Sequence, residues 1–305
     1  MSLVWALPLA FAMQTRAASV SPRPVAWAAQ SPRPASCLAA PGLWEVSRQA
    51  VIERRCRQLA RGQALLLRAP QQAFERAAAL LAEAPELAEA RVLRGRASLR
   101  LGRAGAALAD LLPLIADEAP AVADPAALLD GGRAALAQGD LANATRFYRR
   151  LGSRASVLPD RDQQLVAYLE IAGVVLATDP AADDEVLAYL REARRRSAGS
   201  GFSGLIAGLT ALAWAAQGRE AEALGALSDL ADPWSLERFE PTPPAARLVW
   251  LPAGLLQAVL GLALERRDAT LSRSHYAALA QSALGKTRLG QLASRGSEAG
   301  KRRAR

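Results

Sequence analysis

The chain has one histidine, two cysteines and only two lysines, Lys286 and Lys301, in 305 residues. So few imidazole, thiol and amine groups exclude most metal-centre and acid–base chemistry, which draws on clusters of those side chains. Aromatic residues make up 5% and β-branched residues are sparse. A sandwich or barrel needs both on its pleated faces, so the composition argues against either. The sequence contains no Gly-rich dinucleotide fingerprint, no Cys-x-x-Cys and no His-Glu-x-x-His, so the common cofactor and metalloprotease motifs are missing. What dominates instead are the best helix formers, alanine above all. With 51% apolar residues the chain has ample material for a buried core and lacks the polar composition of a disordered one.

The formal net charge of +9 is unevenly placed. From Lys286 to the end, Lys286, Arg288, Arg295, Lys301, Arg302, Arg303 and Arg305 stand against Glu298 alone and supply +6 of that total. The body is therefore close to neutral. Nucleic-acid binding would have to rest on residues 286–305, which read as a basic, flexible tail. Arg194, Arg195 and Arg196 precede a Ser/Gly stretch. They fit a helix C-terminus, where cations complement the dipole and need no ligand.

Leu3 to Met13 is an apolar run broken only by Pro8. It is too short to span a bilayer and suits the core of a secretory signal. Ala10-Phe11-Ala12 and Ala17-Ala18-Ser19 offer small-x-small cleavage sites, although no Lys or Arg precedes the run. Residues 1–18 are expected to be a signal peptide. The mature chain is then periplasmic or secreted, with no transmembrane span; a cytoplasmic chain is the alternative. Residues 19–43 are Pro-rich and contain SPRP at Ser21–Pro24 and at Ser31–Pro34. Proline blocks helix, so this stretch reads as an extended linker. Cys37 ends the linker and Cys56 falls on the first good helix, at a spacing that fits no metal motif. In an oxidising compartment the two most simply pair. A disulfide there would pin the linker to the first helix and add about 2–4 kcal/mol. The alternative is two unrelated thiols, with Cys56 packed as a small apolar residue.

From Trp44 onward, apolar helical stretches alternate with short breaks at Gly-Arg, Gly-Asp, Asp-Pro and Ala-Pro. The stretches are self-similar. Gly95, Gly102, Ala107, Leu111 and Leu114 recur at the same offsets as Gly132, Gly139, Ala144, Tyr148 and Leu151, and again as Ala211, Gly218, Ala223, Leu227 and Leu230. Weaker copies are Arg61, Arg68, Ala73, Ala77, Leu80 and Leu260, Arg267, Ser272, Tyr276, Leu279; around Val174, Ala181, Val186, Leu190 and Ala193 the offsets barely hold. The pattern has a physical meaning. A small residue lets a second helix approach the first, and a Gly two turns later ends the first helix in a left-handed conformation. The residues that follow then continue a buried stripe on the second helix. Each unit is an antiparallel helix hairpin, which cannot bury its apolar face alone and must stack on neighbours.

These sets, with Pro85, Pro120 and Pro233 after second helices, resemble the tetratricopeptide repeat family over residues 44–285. The resemblance implies an all-α, right-handed solenoid of about five to six hairpins. It departs from the family pattern at Ser98 and Ala135, where an aromatic is expected and only Trp214 supplies one. It also implies a concave groove lined by first helices. Mapping the groove positions unit by unit selects Arg96 and Arg100, then Arg133 and Ala137, then Leu212 and Ala216. The three arginines suit a carboxylate, so the resemblance predicts an acidic peptide or protein partner; three solvated arginines without a ligand are the alternative. The Pro-rich interruption Leu230–Pro244 carries Trp234 and Phe239, expected to pack down over the groove or the neighbouring hairpin rather than mark a contact site.

Three further motifs carry less. Ala280–Thr287 matches a relaxed phosphate-loop pattern, but the mechanism needs a preceding strand and a downstream acid, and neither is foreseen. His275, beside Tyr276 on an amphipathic helix, reads as structural. Asp183-Asp184-Glu185 follows Asp179-Pro180 and reads as helix-start charge. No catalytic residue, cofactor or metal site is expected, which leaves a non-catalytic interaction scaffold. The alternatives are a cytoplasmic adaptor contacting nucleic acid through its basic tail and, last, a nucleotide-binding enzyme built on the Lys286 turn.

Overall fold

The computed structural model describes residues 49–116, 124–230, 232–239, 247–292 and 294. The expected signal, the Pro-rich linker with Cys37, and the end of the basic tail lie outside them. Among the described residues there is no strand, and the helices are α1 (Gln49–Leu65), α2 (Pro70–Glu83), α3 (Ala88–Arg100), α4 (Ala104–Leu111), α5 (Pro125–Ala137), α6 (Leu141–Gly152), α7 (Arg161–Thr178), α8 (Asp183–Arg196), α9 (Ser203–Ala216), α10 (Glu220–Ser228), α11 (Leu255–Leu264) and α12 (Ala269–Gln281), with a further helical stretch at 288–292. None is long and apolar enough to cross a membrane. The helices pack consecutively, and odd-numbered ones also meet each other: α1 on α3, α3 on α5, α7 on α9 and α9 on α11.

The turns within three hairpins share one geometry. Gly102, Gly139 and Gly218 have φ of 74°, 70° and 75°, a region that costs any residue with a Cβ. At each, the glycine N–H donates to a carbonyl three residues back and the next N–H to one five back: Arg103 to Ser98, Asp140 to Ala135, Arg219 to Trp214. That pair of bonds is a Schellman motif, and it satisfies carbonyls that the helix end would leave bare. Asp140 then caps α6 by accepting from the Asn143 N–H at 3.0 Å.

The small residues do what their spacing predicts. A Cβ on Gly95 would lie 2.9 Å from Leu111, and one on Gly132 would lie 2.6 Å from the Tyr148 ring. In both hairpins the contact joins positions sixteen apart. In the last hairpin the close approach is Gly261 against Tyr276 at 2.5 Å, so the repeat is shifted by one residue from the expected Leu260. On α6 the buried Ala144, Phe147, Tyr148 and Leu151 form one stripe at helical spacing.

α7 differs. Every residue from Leu165 to Ala177 is buried, so it has no solvent face and forms the centre of the molecule. It packs on α6, α8 and α9, and Leu251 and Pro252 lie over its Gly173. The α7–α8 hairpin is well formed although its sequence match was the weakest. The consecutive order loosens between α10 and α11, where the 3-10 segment Pro233–Phe239 packs on α9 and α11.

Candidate interaction groove

The arginines singled out for a groove lie on α3 and α5, facing α5 and α7. They do not present solvated charge to a partner; each is spent on an internal carboxylate. The Arg96 Nε donates to Asp130 at 2.8 Å and its Nη1 to Asp124 at 3.3 Å. Arg100 donates to the same Asp130 at 3.2 Å. Arg133 makes a two-pronged contact with Glu170, at 2.6 Å from Nη2 and about 3.0 Å from Nε. Arg96 and Arg133 are 5% and 3% exposed, while Asp130 and Glu170 are at 1% and 0%. The reason is positional. A residue one place after the small crossing residue points to the next odd-numbered helix, and that helix carries the acid.

The charges in this row are mutually held. Burial works against ionised Asp130, but Arg100, Arg96 and Arg133 outweigh it and keep its carboxyl below the usual aspartate value. Burial likewise opposes the charge on Arg96 and Arg133, and their carboxylate partners more than offset it. Arg100 is the exception. Burial and the two neighbouring guanidinium groups, partly offset by Asp130, leave it below the ordinary arginine value.

Glu170 is the hub, and the sequence reading missed it. Besides Arg133, it accepts from the Tyr148 hydroxyl at 2.9 Å and from the Trp250 backbone N–H at 3.0 Å. Trp250, 80 residues away in sequence, joins Leu99, Ala107 and Ala134 in a buried cluster, with the Arg247 guanidinium 5.5 Å from its ring. The chain's own segment Arg247–Pro252 is therefore laid against the α3–α5–α7 face on which a ligand was expected. A signal for Glu170 existed in the sequence: it is the lone charge in an unbroken apolar run, Leu165–Ala177, and a charge so placed needs a partner.

The other singled-out residues fall as follows. Phe239 is buried against Phe202, ring centroids 5.2 Å apart, as expected. Trp234 is not packed down: it is 42% exposed, 6.5 Å from the His275 ring. Leu271, also exposed, precedes His275 by one turn of α12. Asp183, Asp184 and Glu185 begin α8, and Arg194 to Arg196 end it. The Ala280–Thr287 segment is the end of α12 and a 3-10 turn over Ala283–Lys286, preceded by helix rather than strand. The start of the basic tail is docked, not frayed: Arg288 pairs with Asp183 and Leu289 is fully buried. Cys56 is half-buried on α1, while its expected partner lies outside the described residues.

Among the described residues no group of three or more His, Cys, Asp or Glu side chains could hold a metal ion. No protein-family model, no curated protein and no solved structure matches the chain.

Proposed function

We propose that the chain is a non-catalytic interaction scaffold of the tetratricopeptide-like kind, a right-handed stack of five to six helix hairpins exported to the cell envelope. The observation that carries this reading is the hairpin geometry. Three turns close with the same left-handed glycine and the same two backbone bonds, and the odd-numbered helices meet in two runs, α1–α3–α5 and α7–α9–α11. Such a stack holds its shape through local contacts and leaves long surfaces for a partner. In this proposal the partner meets the exposed Trp234–His275 edge rather than the arginine row, whose charges are taken internally. Pairing of Cys37 with Cys56 belongs to the same reading, since export puts both thiols in an oxidising compartment.

Photo-crosslinking in the native cell tests it. A photoreactive residue at Leu271 should trap one protein reproducibly, and Trp234→Ala should abolish that adduct without changing the helix content. An adduct that persists in Trp234→Ala overturns the contact assignment. Intact-mass measurement of the mature chain should show loss of the first residues and of two hydrogens at the cysteines; a retained Met1 with both thiols alkylatable overturns the export reading.

A further inference from the structure

Where consecutive packing loosens, the fold leaves a cleft. Its volume is about 450 Å³, within the range of small-molecule sites and about three times the ~150 Å³ that an apolar cavity needs to hold benzene. It opens between α9, α10, α11 and α12. The floor is made by Leu212, Ala223, Ala258 and Leu289, all buried. Leu224, Leu227 and Leu262 form walls that are half-exposed. Leu227 and Leu262 also pack against the main core, so the walls are anchored on the fold.

The polar groups of the cleft are few. Tyr276 lines it and is 7% exposed, with its ring against Gly261. Among the described residues nothing hydrogen-bonds its hydroxyl. Burial, and next the charge of Glu265, push the phenol above its ordinary value, so it stays protonated and able to donate. Ser228 is already engaged, donating to the Gly225 carbonyl at 2.6 Å. The rim carries Glu220 and Glu265 against Arg266 and Arg267, and Arg267 also donates to the Leu230 carbonyl at 3.3 Å. Two acids and two arginines leave no net field to draw an ion in. An extended peptide would bring a succession of amide groups to a cleft whose floor and walls are apolar, and unpaired amides are costly.

We infer that this cleft binds an uncharged, largely aliphatic small molecule carrying one hydrogen-bond acceptor, such as a fatty acyl ester, with the acceptor on the Tyr276 hydroxyl and the chain among Leu224, Leu227 and Leu262. The site is separate from the scaffold reading and does not depend on it. Nile red, an uncharged dye with a ring carbonyl, is the probe, titrated into the full chain by fluorescence. Saturable binding is expected. Methyl decanoate should displace the dye, and decanoate, whose carboxylate would lose its water on entering an apolar cleft with no net field to compensate, should do so at least tenfold less well. Leu227→Trp fills the cleft and should weaken the dye at least tenfold. Ala215→Leu, a smaller filling from the opposite wall, should weaken it several-fold. Tyr276→Phe keeps the ring packing and should weaken it about fivefold, the scale of one neutral hydrogen bond. Melting curves verify that each variant is folded. Dye binding that is absent, or unchanged in both filling variants, overturns the site. Equal displacement by decanoate and its ester, or unchanged affinity in Tyr276→Phe, overturns the ligand class.

Discussion

Glu170 shows what a single residue decides in this molecule. It is fully buried and accepts from a guanidinium, a phenol and a backbone N–H. Glu170→Ala strands all three donors in the core. Breaking a buried pair by removing one partner costs about 3–5 kcal/mol, so urea unfolding should show a loss of that size. Glu170→Gln keeps an acceptor oxygen and should lose less. Asp130 adds a pH dependence. Its carboxyl is held below the ordinary value of 3.8, so the unfolded chain binds this proton more readily than the folded one. The stabilisation from this residue is therefore complete above about pH 4 and lost as pH falls through the lower folded value. Melting followed from pH 6 to pH 2 should show a stability loss in the wild type that is missing from Asp130→Asn, which starts from lower stability at neutral pH. The three arginines were legible as positions but not as roles. Their spacing placed them on one side of the odd-numbered helices. Their partners, Asp130 and Glu170, come from the following unit, and no local pattern pairs residues 34 and 37 apart.

At the scale of the helix, glycine position has opposite consequences. Gly139 adopts φ of 70° with open space around its Cα. A Cβ there meets no neighbour but is forced into a left-handed backbone, so Gly139→Ala should destabilise by about 1–2 kcal/mol. Gly225 lies within α10 and a Cβ on it also meets nothing within 4 Å. There the backbone is helical, and Gly225→Ala should stabilise by about 0.5–1 kcal/mol. Thermal melts of the two variants should shift in opposite directions. The turns were readable because a Schellman glycine leaves a local signature, and the Gly95 and Gly132 crossings because small residues recur at fixed offsets. α7 was not readable in the same way. A helix enclosed on all sides has no apolar stripe to give periodicity, so its hairpin looked like the weakest unit while being central.

Taken whole, the described residues form two main cores of unequal size beside the small Leu99–Ala107–Ala134–Trp250 cluster. Leu59, Leu66, Ala73, Ala77, Leu80, Leu93 and their neighbours on α1 to α3 form a small cluster. A larger one runs from Leu111 to Leu289 and includes the apolar side chains of α7 from Leu165 to Ala177. α1 is exposed along much of its length, and its pair Arg54–Glu83 is a surface ion pair of little worth. Stability in a stack of hairpins is close to a sum of local terms. Amide hydrogen exchange should therefore show α1 and α2 opening at a free energy below that of α7, with α7 amides exchanging only on global unfolding. Equal protection across α1, α2 and α7 would mean a single cooperative unit.

Composition and spacing by themselves determined that the chain is helical, where hairpins turn, and which small residues let helices touch. Those are short-range matters: propensity, a glycine conformation, one or two turns of periodicity. Tertiary structure alone decided that the arginines face carboxylates instead of solvent, that Trp250 closes over α3 and α5, that Trp234 stays outside while Phe239 goes in, and that a cleft opens beside α10. Each of these depends on which surfaces meet across 30 to 80 residues, and that is set by the summed packing of the whole stack rather than by any one segment.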